Sequence, residues 1–181
     1  MNKIIAVVGM PGSGKSETVK IFEEFGFSRI YFGGIVIEEV KKLGLDVNEE
    51  NESMVRRNLR RKYGLSAIAK LSLSKIKEAL IKGDVVIDGL YSWEEYKLLI
   101  KEFPQMNIVA VYASPRARYS RLEKRIDRPL SQEEAKSRDY DQIENLHTGG
   151  PIAMADFTIK NEGSLKNLKE KIKELIKIIG E

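Results

Sequence analysis

Cysteine is absent, and histidine occurs once, at His147. Without thiols the chain has no disulfide staple and no thiolate metal site, which fits a reducing compartment. A lone imidazole argues against zinc hydrolases and against Ser-His-Asp chemistry. Prolines number five in 181 residues, and no proline-rich linker, repeat or low-complexity tract divides the chain. That length suits one core and is short for two, so a single domain spanning 1–181 is expected. No apolar run is long enough to span a bilayer, so no membrane partner is expected. The opening "MNKIIAVVGM" lacks the long apolar region and small-residue cleavage site of a secretory signal. A cytoplasmic location is the expectation that follows.

The excess of positive over negative charge is also small. Lys and Arg number 31 against 27 Asp and Glu, a surplus of +4, with a pI near 9.1. That balance suits an anionic ligand or a nucleic acid without choosing between them, and the interleaved Lys and Glu read as solvated helix faces.

What is plentiful is β-branched residues in short runs. "KIIAVVG" (3–9), "VVIDGL" (85–90) and "NIVAVYAS" (107–114) read as strands buried on both faces. "FSRIYF" (27–32) and "DFTIKN" (156–161) are weaker strands. Helical patterns cover about 14–25, 34–43, 49–62, 66–82, 92–102, 115–126, 132–146 and 165–179. In the last, Leu165, Leu168, Ile172, Leu175, Ile176 and Ile179 share a face. Ser114-Pro115 and the Ser131/Glu134 pair mark helix starts, and Gly44, Gly64 and Gly83 follow helix ends. Strands spaced by helices imply an α/β fold: a five-stranded parallel sheet with helices on both faces. The stretch 33–83 is too long for one crossover and reads as a helical insertion between strands two and three.

The run "VVGMPGSGKSET" (7–18) concentrates glycines beside one lysine. Gly9-Met10-Pro11-Gly12-Ser13-Gly14-Lys15-Ser16 satisfies the P-loop pattern, with a strand before it and a helix after. Glycines let backbone N–H groups turn inward around phosphate oxygens, and the following helix, opening with Ser16 and Glu17, adds its positive end. Lys15 reaches the β- and γ-phosphates in such a loop, and the Ser16 hydroxyl ligates Mg²⁺. A nucleoside triphosphate is the expected ligand. An Asn-Lys-x-Asp guanine-reading segment is missing, since "IKNEG" (159–163) has its Lys and Asn in the other order, so ATP is favoured over GTP.

Ligands of open α/β sheets sit beyond the carboxyl ends of the strands. Asp88 ends the third strand and should face the same crevice as Lys15, where it can hold Mg²⁺ through water or accept a hydroxyl proton. After the fourth strand, "SPRARYSRLEKRIDRP" (114–129) places Arg118, Arg121 and Arg125 at helical spacing, with Arg128 and Arg138 beyond. Such guanidinium groups either neutralise a moving phosphoryl group or form an ordinary solvated face. In "EENESMVRRNLRRKYG" (49–64), Arg56, Arg57, Arg60 and Arg61 follow acids in the order a helix dipole prefers. They could also bind an anionic acceptor or an RNA backbone. Tyr91 and Trp93 follow Asp88 and read as core or as an acceptor wall, and His147 reads as a loop residue.

With these residues in place, the chain resembles the P-loop nucleotide kinases, from adenylate kinases to dephospho-CoA kinases. It is most similar to the archaeal adenylate-kinase-related group. "GMPGSGKS" looks like their phosphate loop and "VVIDGL" like their acidic third strand. "RYSRLEKR" resembles the arginine pair opening a short lid at 118–140, carried here by Arg121 and Arg125. "SRDYDQIE", with Arg138 and Asp139, resembles the segment after that lid. "ADFTIKNEGSLKNLKEKI" is similar to the dephospho-CoA kinase ending, which implies that Asn161 to Ser164, Gly163 included, border an adenine. The resemblance implies ATP·Mg²⁺ and phosphoryl transfer to a small nucleotide-like acceptor. The acceptor side departs from it. Adenylate kinases carry Asp-Gly-Phe-Pro-Arg where this chain has Asp88-Gly89-Leu90-Tyr91-Ser92, and Thr-Gly-Asp-x-x-Arg where it has "FGGIVIE" (32–38). Dephospho-CoA kinases carry an aspartate just after strand two, where this chain has Tyr31-Phe32-Gly33-Gly34. Beside a kinase there stands an ATP-binding module or slow ATPase acting on RNA or within an assembly, and, third, a GTP-using switch.

Overall fold

The computed structural model describes residues 2–180, so residues 1 and 181 of the expected 1–181 span lie outside the described residues. Five strands, β1 (Ile4–Val8), β2 (Ser28–Tyr31), β3 (Val85–Asp88), β4 (Asn107–Tyr112) and β5 (Phe157–Lys160), form one sheet in the order β2-β3-β1-β4-β5. Every pairing is parallel. The three apolar runs supply the central strands, where both faces are covered. The two weaker ones supply the edges, and β2 is largely exposed.

Alternation along the strands divides the core in two. Ile4, Ala6 and Val8 face a layer built on α2 (Phe32–Lys42), α3 (Glu49–Tyr63), α4 (Ala67–Lys82) and α5 (Trp93–Glu102). Ile5 and Val7 face α1 (Lys15–Glu24) and α9 (Leu165–Gly180), through Val19, Phe22, Leu168 and Ile172. The connection after β4 runs through α6 (Pro115–Glu123) and α7 (Gln132–Glu144), and α8 (Gly149–Ala153) precedes β5. The expected α/β fold with helices on both sides of a parallel sheet is therefore what forms. Among the described residues no helix is long and apolar enough to cross a membrane.

Local signals act as expected at most ends. Ser114 accepts from the Ala117 N–H with Pro115 in the first helical turn, and Ser131 and Glu134 close a capping box. Three details differ. α2 starts at Phe32 and takes in Gly33, where a Cβ would lie 2.3 Å from the Tyr31 ring; that missing side chain lets Tyr31 fold over the helix start. α6 ends at Glu123, which leaves Arg125 beyond the helix. Leu165 opens α9 but is 58% exposed, because the helix meets the sheet a turn later.

Sheet order reverses at β1, which lies between β3 and β4. Register pairs Val7 and Tyr31 with Asp88, so the carboxyl ends of β1, β2 and β3 finish level with one another. A crevice at such a switch point is where open α/β sheets take their ligands.

Candidate active site

The loop from Gly9 to Gly14 leaves β1 and enters α1 at Lys15. At Gly14 the backbone is left-handed, φ +104°, and a Cβ would stand 2.2 Å from the Asn161 Nδ2. At Gly12, φ +78°, a Cβ would strike the Arg118 carbonyl at 2.7 Å. Both positions demand glycine by dihedral and by space. Asn161, buried at the end of β5, donates to the Ser13 carbonyl at 2.8 Å and holds the loop from behind. Gly14→Ala is expected to strain the backbone and displace Asn161. The result should be a loss of about 1–3 kcal/mol of stability, read by urea denaturation.

Lys15 donates from Nζ to the Gly9 and Met10 carbonyls, at 2.7 and 3.1 Å. Burial lowers its ammonium to about 8, with Asp88 opposing and Arg125, Arg138 and Arg118 adding to the shift. A cavity of about 340 Å³ opens above it, lined by Lys15, Ser16, Glu17, Asp88, Arg121, Arg125 and Arg138 among others. Of the loop residues named from the sequence, Pro11, Gly12 and Gly14 also line it. Gly9, Met10 and Ser13 shape the loop from beneath. Asn161 and Gly163 are not in the lining; the first braces the loop, and the second is exposed.

Three arginines that share helical spacing have three separate surroundings. Arg118 is buried and forms two bonds to Asp139, at 2.8 and 2.6 Å, while also donating to the Pro11 and Ala113 carbonyls. It ties α6 to α7 and to the loop. Arg121 donates to the Asn161 carbonyl at 2.8 Å from the cavity wall. Arg125 is exposed at the cavity mouth, as is Arg138 on α7. Asp139, which sequence comparison with the kinase lid brought forward, is the structural partner of Arg118.

Asp88 is buried and lines the cavity. Arg29 grips its Oδ2 through Nη2 at 2.5 Å and Nε at 3.1 Å. Nothing in "FSRIYF" singled out Arg29, whose role depends on the β2–β3 register. Tyr91, read from the sequence as core or acceptor wall, borders both this cavity and a neighbouring one, and its ring centre lies 5.7 Å from the Lys15 Nζ. Burial, and then Asp88, push its hydroxyl up to about 12. Trp93 instead stacks on Tyr96. His147 is an exposed turn residue, with Nδ1 3.8 Å from the Glu94 carboxylate.

A second cavity of about 310 Å³ abuts the first and shares Tyr91, Arg138 and Gln142 with it. It lies against the helical insertion, with Phe32, Arg56, Arg60 and Glu95 in its wall. The four insertion arginines divide: Arg56 and Arg60 line this cavity, whereas Arg57 and Arg61 are exposed on the other side of α3.

The residues present fit a polyphosphate with a divalent ion. Glycine at positions 12 and 14 lets the loop pack closely against Arg118 and Asn161, and Lys15 lines the space above it. For the ion, Ser16 and Asp88 share the cavity, but no cluster of three or more His, Cys, Asp or Glu able to hold a metal occurs among the described residues. Magnesium held here would take its remaining ligands from phosphate and water, as it commonly does.

Sheet order, loop and paired cavities define a P-loop nucleotide-binding fold of the kinase-like kind. Comparison with known proteins agrees. An AAA domain model matches residues 5–144. A UPF0200 protein of Thermococcus kodakarensis is 42% identical over 96% of both chains, and one of Sulfurisphaera tokodaii is 36% identical over 98% of this chain and 97% of its own. The chain belongs to the UPF0200 family. Among solved structures, shikimate kinase from Bacteroides thetaiotaomicron superposes with a TM-score of 0.63 at 13% identity, over 98% of this chain and 99% of that one. Dephospho-CoA kinase from Campylobacter jejuni gives 0.54 at 17% identity, over 98% and 97%. TT1252 from Thermus thermophilus gives 0.63 at 20%, over 97% and 96%. At such identities the likeness is one of fold.

Proposed function

We propose that the protein is a Mg²⁺-dependent phosphotransferase that moves the γ-phosphoryl group of ATP to a small nucleotide-like acceptor. The observation that carries this reading is the pair of abutting cavities: one above a phosphate loop, the other against the insertion, meeting at Tyr91, Arg138 and Gln142. A hydrolase needs room for water alone, whereas a transferase needs a second shaped site beside the first.

In this reading the loop amides and Lys15 hold the β- and γ-phosphates, with Lys15 exchanging its two carbonyl partners for phosphate oxygens. Ser16 would ligate the metal ion, and Asp88 would help hold it through water. ATP·Mg²⁺ supplies the transferable phosphoryl group and the ionic charge that offsets it. Arg121, Arg125 and Arg138, which line the cavity above the phosphate loop, would neutralise the negative charge that spreads as the P–O bond to the β-phosphate lengthens. The lid is 118–140, and 33–83 is the acceptor-side insertion. Localisation in the cytoplasm and preference for ATP over GTP belong to the same proposal.

Asp88 is oriented by Arg29 rather than free to swing. Its role in this reading would be to help hold the ion, so Asp88→Asn should raise the Mg²⁺ concentration needed for half-maximal transfer and slow transfer by about 100-fold. An unchanged Mg²⁺ requirement with loss of the acidic limb of the pH–rate profile would instead make Asp88 the base for a hydroxyl acceptor. The test of the whole reading uses γ-labelled ATP against nucleotides, nucleosides, dephospho-CoA and RNA ends. Label in a small acceptor supports it. Label in free phosphate alone would replace it with a slow ATPase serving RNA or an assembly.

A further inference from the structure

The second cavity holds polar groups that folding alone leaves unsatisfied. Arg60 reaches it from α3, and its buried Nε has no hydrogen-bond partner. Glu95 is fully buried at the start of α5, where Oε2 accepts from the Tyr91 and Ser92 N–H groups at 3.0 Å each, closing a capping box. Its other oxygen, Oε1, is buried without a partner, and so is the Oε1 of Gln142 on α7. Buried polar atoms are nearly always bonded, and a buried unpaired charge is costlier still. Three unpartnered atoms, from three helices, around one cavity point to a ligand.

Charge bookkeeping around that cavity indicates the ligand's sign. Arg128, reaching over from the lid, pairs with Glu49 and lies 3.7 Å from the Glu52 Oε1. Arg56 shares Glu52 at 3.9 Å, a loose contact, and Asp141 is engaged by the Asn145 amide. Arg60 is left with no carboxylate within ion-pair distance among the described residues, although burial pulls its guanidinium below the usual range with Glu95 opposing. Burial likewise pushes the Glu95 carboxyl up. The unsatisfied set is thus the Arg60 guanidinium and one oxygen each of Glu95 and Gln142, with Arg56, one turn before Arg60 on α3, only loosely paired to Glu52.

We infer that Arg56 and Arg60 bind an anionic group, phosphate or carboxylate, of a small acceptor, while Glu95 accepts a hydrogen bond from a hydroxyl or amino group of the same molecule. Spacing of four along α3 places both guanidinium groups on one side, and their planar forks match a two-oxygen anion. The cavity, about 310 Å³, is of small-molecule size rather than a groove for a strand of RNA. This assignment of acceptor class rests on the phosphotransferase reading only in calling the ligand an acceptor.

The test is calorimetric titration of the full chain, first with ADP and Mg²⁺, then, with ADP saturating, with AMP, CMP, GMP, UMP, the corresponding nucleosides and gluconate. Binding of a monophosphate but not its nucleoside assigns the anion as phosphate, and binding of gluconate assigns a carboxylate. In either case Arg60→Ala and Arg56→Ala should weaken that binding by about tenfold or more while leaving ADP affinity unchanged, since neither residue lines the phosphate cavity. Arg60→Lys, which keeps the charge and loses the fork, should also weaken it, and serves if the alanine variant fails to fold. Glu95→Gln keeps the helix cap and should weaken the same ligand, because an amide replaces the accepting oxygen. Failure of every probe to bind at millimolar concentration, or binding indifferent to both arginines, would overturn the inference. Failure of ADP to bind would strike the phosphotransferase reading instead, leaving any arginine-dependent anion binding in place.

Discussion

Replacing Lys15 with Met is expected to lower phosphoryl transfer by about 100- to 1,000-fold, the cost of removing one preorganised charge from a developing anion. Among the described residues the ammonium group forms no ion pair; it donates to two loop carbonyls, and Asp88 acts on it only at longer range. Its lowered value, about 8 against an ordinary 10.5, reflects that burial. Two pH effects follow. The unfolded chain keeps the Lys15 proton up to 10.5 while the folded chain releases it near 8, so between those values the unfolded state binds more protons. Stability of the ligand-free protein should therefore gain a Lys15 contribution as pH rises through that window, and Lys15→Met should remove it. Nucleotide affinity runs the other way: full below pH 8, it should fall above it as the cation is lost. A Met variant that transfers phosphate at the wild-type rate would remove Lys15 from the site.

Arg118→Ala should cost about 3–5 kcal/mol of stability, as breaking a buried ion pair by deleting one partner usually does. The pair is 4% and 7% exposed at Arg118 and Asp139, and the Tyr119 hydroxyl also donates to Asp139. Without the guanidinium, Asp139 keeps a buried charge with one neutral donor, and the Pro11 and Ala113 carbonyls lose theirs. The double variant Arg118→Leu with Asp139→Leu should recover much of the loss, because two apolar side chains leave no orphaned charge. ADP affinity should fall in the single variant, since Pro11 belongs to the phosphate loop and α7 carries Arg138 and Gln142. A loss below about 1 kcal/mol in urea denaturation would mark the pair as no more than a surface bridge.

Arg118 also shows where sequence reading reaches its limit. Helical spacing put Arg118, Arg121 and Arg125 on one face, but it cannot say where that face points or where the helix stops. The first is buried under the loop, the second lines the cavity, and the third lies past the helix end. By contrast, the sheet was legible nearly to the residue. Strands buried on both faces must be apolar throughout, and "IIAVV", "VVID" and "NIVAVY" are. The phosphate loop was legible for a related reason, because its conformation admits few residues other than glycine at Gly12 and Gly14. Arg29 was not, since its contact with Asp88 spans 59 positions and arises only from strand register. Glu95 carried a signal that went unused. Ser92-x-x-Glu95 is a capping box, and a box whose glutamate is fully buried leaves one oxygen to be accounted for. α8 had no periodicity to reveal it, being a five-residue turn that starts on two glycines.

The phosphate loop is the part on which the rest depends, and calorimetry of the full chain with ATP and Mg²⁺ tests it most directly. One site per chain is expected, with a dissociation constant in the range of about 1 µM to 1 mM and weakened in Lys15→Met. A folded protein, verified by circular dichroism, that takes up no ATP at millimolar concentration would contradict it.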